Sequence, residues 1–123
     1  MPKRMLIVDD ETTTLFAYKK LFQKKGVEVE TTSTLAEAET LLKKHHFEVI
    51  ITDLRLSGKN SEAGFDILRW VKRSHSDTRV ILITAYGNPN IMKEAYNLGA
   101  SYYFEKPIPI KILREALQQL GID

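Results

Sequence analysis

Apolar side chains recur along this chain in two rhythms. Unbroken apolar runs at residues 5–8, 49–51 and 80–83 have the form of strands buried on both faces of a parallel sheet. Between them, apolar positions fall three and four apart, as on one side of a helix. In the first such helix the apolar positions Leu15, Tyr18, Leu21 and Phe22 keep this spacing. Asp10 or Thr12 is its expected cap, and Lys24-Lys25-Gly26 its stop, cations for the dipole followed by a glycine able to turn left-handed. Residues 27–31 alternate enough to form a second strand nearer an edge. Ser33 or Thr34 then caps a second helix, with Glu37 in its first turn and Leu35, Ala38, Leu41 and Leu42 inward.

The central strand follows at residues 47–53, and residues 54–63, rich in Ser, Gly, Lys and Asn, form a loop. From Gly64 a third helix turns Phe65, Ile67, Leu68 and Val71 inward. Residues 80–84 make a fourth strand, again central. Asn88-Pro89 opens a fourth helix that ends at Leu98-Gly99. Residues 102–105 are the fifth strand. After Lys106-Pro107, a fifth helix sets Ile110, Leu113, Leu117 and Leu120 on one face. Five strands alternating with five helices across short connections imply right-handed βαβ units. The expected fold is α/β, a doubly wound (βα)5 three-layer sandwich forming a single domain over residues 1–123, with no linker.

Composition narrows the class without changing that picture. With 18 basic and 16 acidic residues, a net charge of +2 is too balanced for a nucleic-acid surface. The absence of cysteine excludes disulfides, thiolate chemistry and cysteine zinc sites. The apolar runs are too short to cross a bilayer, and the chain enters its first strand without a signal-peptide segment, so a cytoplasmic protein is expected.

The candidate chemistry lies at strand ends. Asp9-Asp10 closes the first strand, Asp53 the third, Thr84 the fourth and Lys106 the fifth. In a flavodoxin-like order, 2-1-3-4-5, the first and third strands flank the switch point, and all these groups converge on one rim. Carboxylates in contact repel by roughly 1 kcal/mol per pair in water and about 4 kcal/mol at an effective dielectric near 20. One lysine cannot offset that, so a hard cation is implied, and Mg²⁺ suits a site of few carboxylates and several waters. Asp53 beside such an ion can attack phosphorus and become an aspartyl phosphate.

Ile7-Val8-Asp9-Asp10-Glu11, residues 49–54, Ile83-Thr84-Ala85, Gly99-Ala100 and Lys106-Pro107 together resemble the receiver domain of two-component response regulators, over essentially the whole length. The resemblance implies that Asp53 is the phosphoacceptor, that Asp10 binds Mg²⁺ directly, and that Asp9 helps through water. It gives the Arg55 backbone carbonyl to the metal, and Thr84, Lys106 and the Ala85 N–H to the phosphoryl group. Tyr103 matches an aromatic switch that turns inward on phosphorylation, and the Lys106–Pro107 bond is expected to be cis. A sensor histidine kinase or a histidine phosphotransfer protein would be the donor. An unknown downstream protein would read the surface of the fourth helix, fifth strand and fifth helix, and the last two helices offer a route to a homodimer. No output domain is recognised after the fifth helix, which fits either a single-domain regulator or the receiver of a longer protein.

Three features depart from the family pattern. The loop from Asp53 to Gly64 is longer than usual, Ser57 stands where proline is common, and Arg55 and Tyr86 are larger than many residues at their positions. The rival reading is a small Mg²⁺-dependent phosphatase of the aspartyl-phosphate type. It lacks the acid expected two residues after the nucleophile, where Arg55 stands. Nucleotide-binding glycine patterns are absent. His45-His46 is expected to end the second helix in solvent, without a metal or phosphorelay role, and Trp70 to pack half-buried.

Overall fold

Strands and helices alternate without exception through the described residues of the computed structural model, residues 2–58, 61–75 and 77–122. The first half runs β1 (Lys3–Val8), α1 (Thr12–Phe22), β2 (Val27–Thr32), α2 (Leu35–Lys44) and β3 (Val49–Asp53). The second runs α3 (Ala63–Ser74), β4 (Arg79–Thr84), α4 (Pro89–Asn97), β5 (Tyr102–Glu105) and α5 (Ile110–Gln119). All the strand pairs are parallel, in the order β2-β1-β3-β4-β5. The expected sandwich and strand order are what the chain forms.

Strand alternation divides the core in two. Leu6, Val8, Ile50 and Leu82 face α2, α3 and α4, packing with Leu42, Phe65, Leu68 and Ala95. Met5, Ile7, Val49, Ile51, Ile81 and Ile83 face α1 and α5, packing with Leu15, Phe22, Leu113 and Leu117. Neighbouring residues of one strand thus serve opposite faces, which is why β1, β3 and β4 contain the unbroken apolar runs 5–8, 49–51 and 80–83. Edge strand β2 instead buries Val27 and Val29 and exposes Glu28.

Caps and turns hold the elements at the expected points, with corrections at α1. The Thr34 and Asn88 side chains accept from Glu37 N–H and Ile91 N–H and so cap α2 and α4. At α1 neither Asp10 nor Thr12 is the cap. The N-cap position is Glu11, which makes no side-chain capping bond, and the Asp10 carboxylate accepts from Ser57 N–H instead. Leu21, one of the helically spaced apolar positions, is 39% exposed, since Phe22 beside it takes the buried position.

The loop after β3 contributes to the core more than its composition suggests, with Leu54 and Leu56 both buried. It turns through Ser57 at φ 70° and Gly58 at φ 123°. Proline, confined near −65°, could not take the Ser57 conformation, so the departure at this position goes with a different turn. The loop closes where Gly64 meets β3. A Cβ there would lie 2.7 Å from Leu54 Cα and 2.8 Å from the Asp53 carbonyl oxygen, so only glycine lets α3 start this close to the strand. Gly64 N–H donates to the Leu54 carbonyl at 2.9 Å, pinning the backbone just after Asp53.

Candidate functional site

The candidate side chains meet at the carboxyl end of the sheet. Asp9 follows β1, Asp53 and Thr84 end β3 and β4, and Lys106 follows β5. Parallel strands finish on one rim, so segments up to 97 residues apart deliver their polar ends to one place. An open cleft of about 430 Å³ lies over them, lined by Asp10, Asp53, Arg55, Thr84, Tyr86 and Lys106 among others.

Lys106 is the hub. Its Nζ donates to Asp53 Oδ2 at 2.8 Å and to Asp9 Oδ2 at 2.9 Å, with Glu11 Oε1 at 3.5 Å. Burial alone would lower the lysine's pKa, but the hydrogen bonds to Asp53 and Asp9 and their charges outweigh it and hold the ammonium above its ordinary range. Glu11 is a further acid on this ammonium that spacing does not single out; its place directly after Asp9-Asp10 is the available signal. The Lys106–Pro107 peptide bond is cis.

The acids are held by backbone N–H groups as well. Glu11 N–H donates to Asp9 Oδ1 at 2.9 Å, Arg55 N–H to Asp53 Oδ1 at 3.1 Å, and Ser57 N–H to Asp10 Oδ2 at 3.1 Å. One carboxylate oxygen from each of Asp9, Asp10 and Asp53 lies within 4.8 Å of the others. An all-oxygen set of this kind, with Lys106 the one ammonium bonded to it among the described residues, fits a hard divalent cation.

Asp9 is 1% exposed, and its burial pushes its carboxyl above the ordinary range, opposed by the Glu11 N–H and by Lys106. Desolvation of this buried charge, with a smaller contribution from Asp53, costs stability that a bound cation restores. Asp9→Asn keeps the shape and removes the charge. In metal-free buffer it is expected to stabilise the fold by on the order of 1 kcal/mol, the repulsion of one carboxylate pair in water. The gain should shrink when Mg²⁺ is added. Urea denaturation with and without the ion checks both parts, and an unchanged or lowered metal-free stability would count against crowding.

The remaining candidates divide. Thr84 is fully buried, its Oγ1 accepting from Tyr86 N–H at 3.2 Å. Ala85 lines the cleft. The Arg55 side chain reaches the Ser61 carbonyl at 3.1 Å, while its buried Nε has no hydrogen-bond partner. Tyr103 is 8% exposed and lies inward, its hydroxyl donating to Glu105 Oε2 at 2.9 Å. His46 pairs with Asp77 at 3.1 Å in solvent, away from the cleft, and Trp70 is half-buried against His75.

The rim of acids and one lysine on a 2-1-3-4-5 sheet defines a class, and comparison with known proteins gives the same one. The chain belongs to the response regulator receiver domain family, whose model matches residues 5–118. It is 29% identical over 97% of its length to sporulation initiation phosphotransferase F of Bacillus subtilis, spanning 94% of that protein. It is 34% identical to the alginate biosynthesis transcriptional regulatory protein AlgB of Pseudomonas putida over 92% of its length, but spans only 25% of that longer relative. Among solved structures, a CheY-like receiver domain protein from Methanospirillum hungatei superposes with a TM-score of 0.86 at 26% identity, covering 98% of this chain and 95% of that one. A response regulator protein from Burkholderia pseudomallei, solved with a phosphorylated aspartic acid and a calcium ion, gives 0.83 at 25% identity, covering 94% and 66%. This chain is thus a receiver domain of a response regulator, with an acidic pocket formed by Asp9, Asp10 and Asp53. Receiver domains are generally non-catalytic signalling domains. No helix among the described residues is long and apolar enough to cross a membrane.

Proposed function

We propose that residues 1–123 act as a single cytoplasmic receiver domain that accepts a phosphoryl group on Asp53. The carrying observation is the Lys106 ammonium held between Asp53 and Asp9, with Asp10 beside them at the mouth of an open cleft. A carboxylate oxygen of Asp53 forms the new P–O bond as the P–N bond to the donor's histidine breaks, and the freed imidazole leaves with the donor. Asp9, Asp10, Asp53 and the Arg55 carbonyl would hold Mg²⁺, which when bound draws charge from the phosphoryl oxygens. Lys106, the Thr84 hydroxyl and the Ala85 N–H supply positive charge and hydrogen bonds to those oxygens. The donor in this reading is a sensor histidine kinase or a histidine phosphotransfer protein. Tyr103 and the surface of α4, β5 and α5 carry the change to a downstream protein.

The Burkholderia protein's phosphorylated aspartic acid and divalent ion support the same pairing here. A phosphatase reading lacks its general acid, because Arg55 occupies that place and ties itself to Ser61. Incubation with acetyl phosphate and Mg²⁺ tests the proposal. A stable mass gain of one phosphoryl group, absent in Asp53→Asn, is expected. Repeated turnover of phosphomonoesters, or labelling that survives Asp53→Asn, would sink it.

Arg55 and Tyr86 line the cleft with Asp53 and Thr84 and would screen the acyl phosphate from water. Arg55→Ala and Tyr86→Ala are each expected to speed its hydrolysis, on the order of tenfold, as water reaches phosphorus more freely. The decay of the phosphorylated mass measures this, and no acceleration in either variant rejects the screening role.

A further inference from the structure

Tyr103 is held inward entirely by groups of the chain itself. Its hydroxyl donates to Glu105 Oε2 at 2.9 Å, and its backbone N–H donates to the Tyr96 hydroxyl at 3.2 Å. The hydroxyl fills the space beside Gly87, in the turn between Thr84 and α4. A Cβ on Gly87 would lie 1.8 Å from Tyr103 Oη and 2.4 Å from Glu105 Oε2. Gly87 is not among the glycines with positive φ, so its backbone does not require glycine; the space its hydrogen leaves does. The ring therefore ties β5 to the turn that follows Thr84.

We infer that Gly87 and Glu105 are positioning residues that lock Tyr103 inward, so that the phosphoryl group stabilises this arrangement and does not have to create it. Glu105 supplies a charged acceptor, and Gly87 supplies the empty volume next to it. Burial, the Glu105 hydrogen bond and the Glu105 charge push the Tyr103 hydroxyl up to about 12, which keeps it a donor. A receiver built this way has part of its inward population before any phosphoryl group arrives, and its response is correspondingly graded. The inference rests on Tyr103 being the switch residue of the proposed function.

Fluorine NMR of protein carrying 3-fluorotyrosine tests the lock without a phosphoryl donor. The chain has five tyrosines, and Tyr103→Phe assigns the relevant resonance. In the parent protein that resonance is expected at a buried position. Glu105→Ala is expected to lower the inward-to-outward ratio about tenfold or more, the factor a hydrogen bond to a charged acceptor commands. Gly87→Ala should evict the ring by occupying the space of its hydroxyl, with some loss of stability because Tyr103 belongs to the core, and a urea midpoint taken alongside confirms that the variant stays folded. Glu105→Gln retains an acceptor and should keep the ring inward. Tyr103 remaining buried in both Gly87→Ala and Glu105→Ala would overturn the lock. So would a Glu105→Gln spectrum matching that of Glu105→Ala. Intact mass after acetyl phosphate treatment reports Asp53 separately, so a protein that never gains a phosphoryl group would strike the parent proposal while the unphosphorylated spectra still decide the lock.

Discussion

Lys106→Ala is expected to destabilise the metal-free protein by up to roughly 3–5 kcal/mol, the cost of breaking a buried ion pair by removing one partner. Asp53 Oδ2 and Asp9 Oδ2 would lose the ammonium that now sits 2.8 and 2.9 Å from them, leaving crowded carboxylates without it. Adding Mg²⁺ should restore most of the loss. The ion should also bind about tenfold or more tightly, since a neighbouring positive charge worth 1–4 kcal/mol of repulsion is gone. Phosphoryl uptake should move the opposite way, falling on the order of 10²-fold, as when one preorganised donor is taken from a developing negative charge. Calorimetric Mg²⁺ titration, urea denaturation with and without the ion, and the rate of mass gain with acetyl phosphate measure the three effects. An unchanged Mg²⁺ affinity would show that lysine and ion do not share the same acids.

Gly64→Ala is expected to cost roughly 1–3 kcal/mol, the range for forcing an extra methyl into a packed core. The added Cβ would meet Leu54 Cα at 2.7 Å and the Asp53 carbonyl oxygen at 2.8 Å. Backbone cannot swing aside as a side chain can, so α3 must retreat or the end of β3 must bend. Either movement disturbs the Gly64 N–H bond to Leu54 and with it the carboxylate of Asp53, next to the pinned segment. Phosphoryl uptake should therefore fall together with the urea midpoint, whereas a purely local defect would lower only the midpoint. Unaltered stability would mean the start of α3 can back away at no cost.

Much of this was legible in residue order. Consecutive β-branched residues at 49–51 and apolar residues at 80–83 have few alternatives to strands covered on both sides, and the sheet contains them there. Asn88-Pro89 opened a helix as its chemistry requires, with Asn88 accepting from Ile91 N–H. The beginning of α1 was less legible. Asp10 has the makings of a cap, but its carboxylate goes to Ser57 N–H, a partner 47 residues away. Local preference lost there to a long-range bond. Leu54 and Leu56 were concealed by the polar residues after them, because a loop that folds back onto the sheet buries side chains at no regular spacing.

By itself the sequence determined the kind of molecule: which segments are strands, which of them lie centrally, and which acids and which lysine stand at their carboxyl ends. These properties depend on neighbours in the chain and on hydrophobic period, and both are written in residue order. Only the tertiary structure decided how those ends are wired. It placed Glu11 on the Lys106 ammonium, turned Arg55 to the Ser61 carbonyl, and set the Tyr103 hydroxyl against Glu105 beside Gly87. Such contacts depend on distances of a few ångströms between elements brought together by packing, and no one-dimensional pattern encodes them.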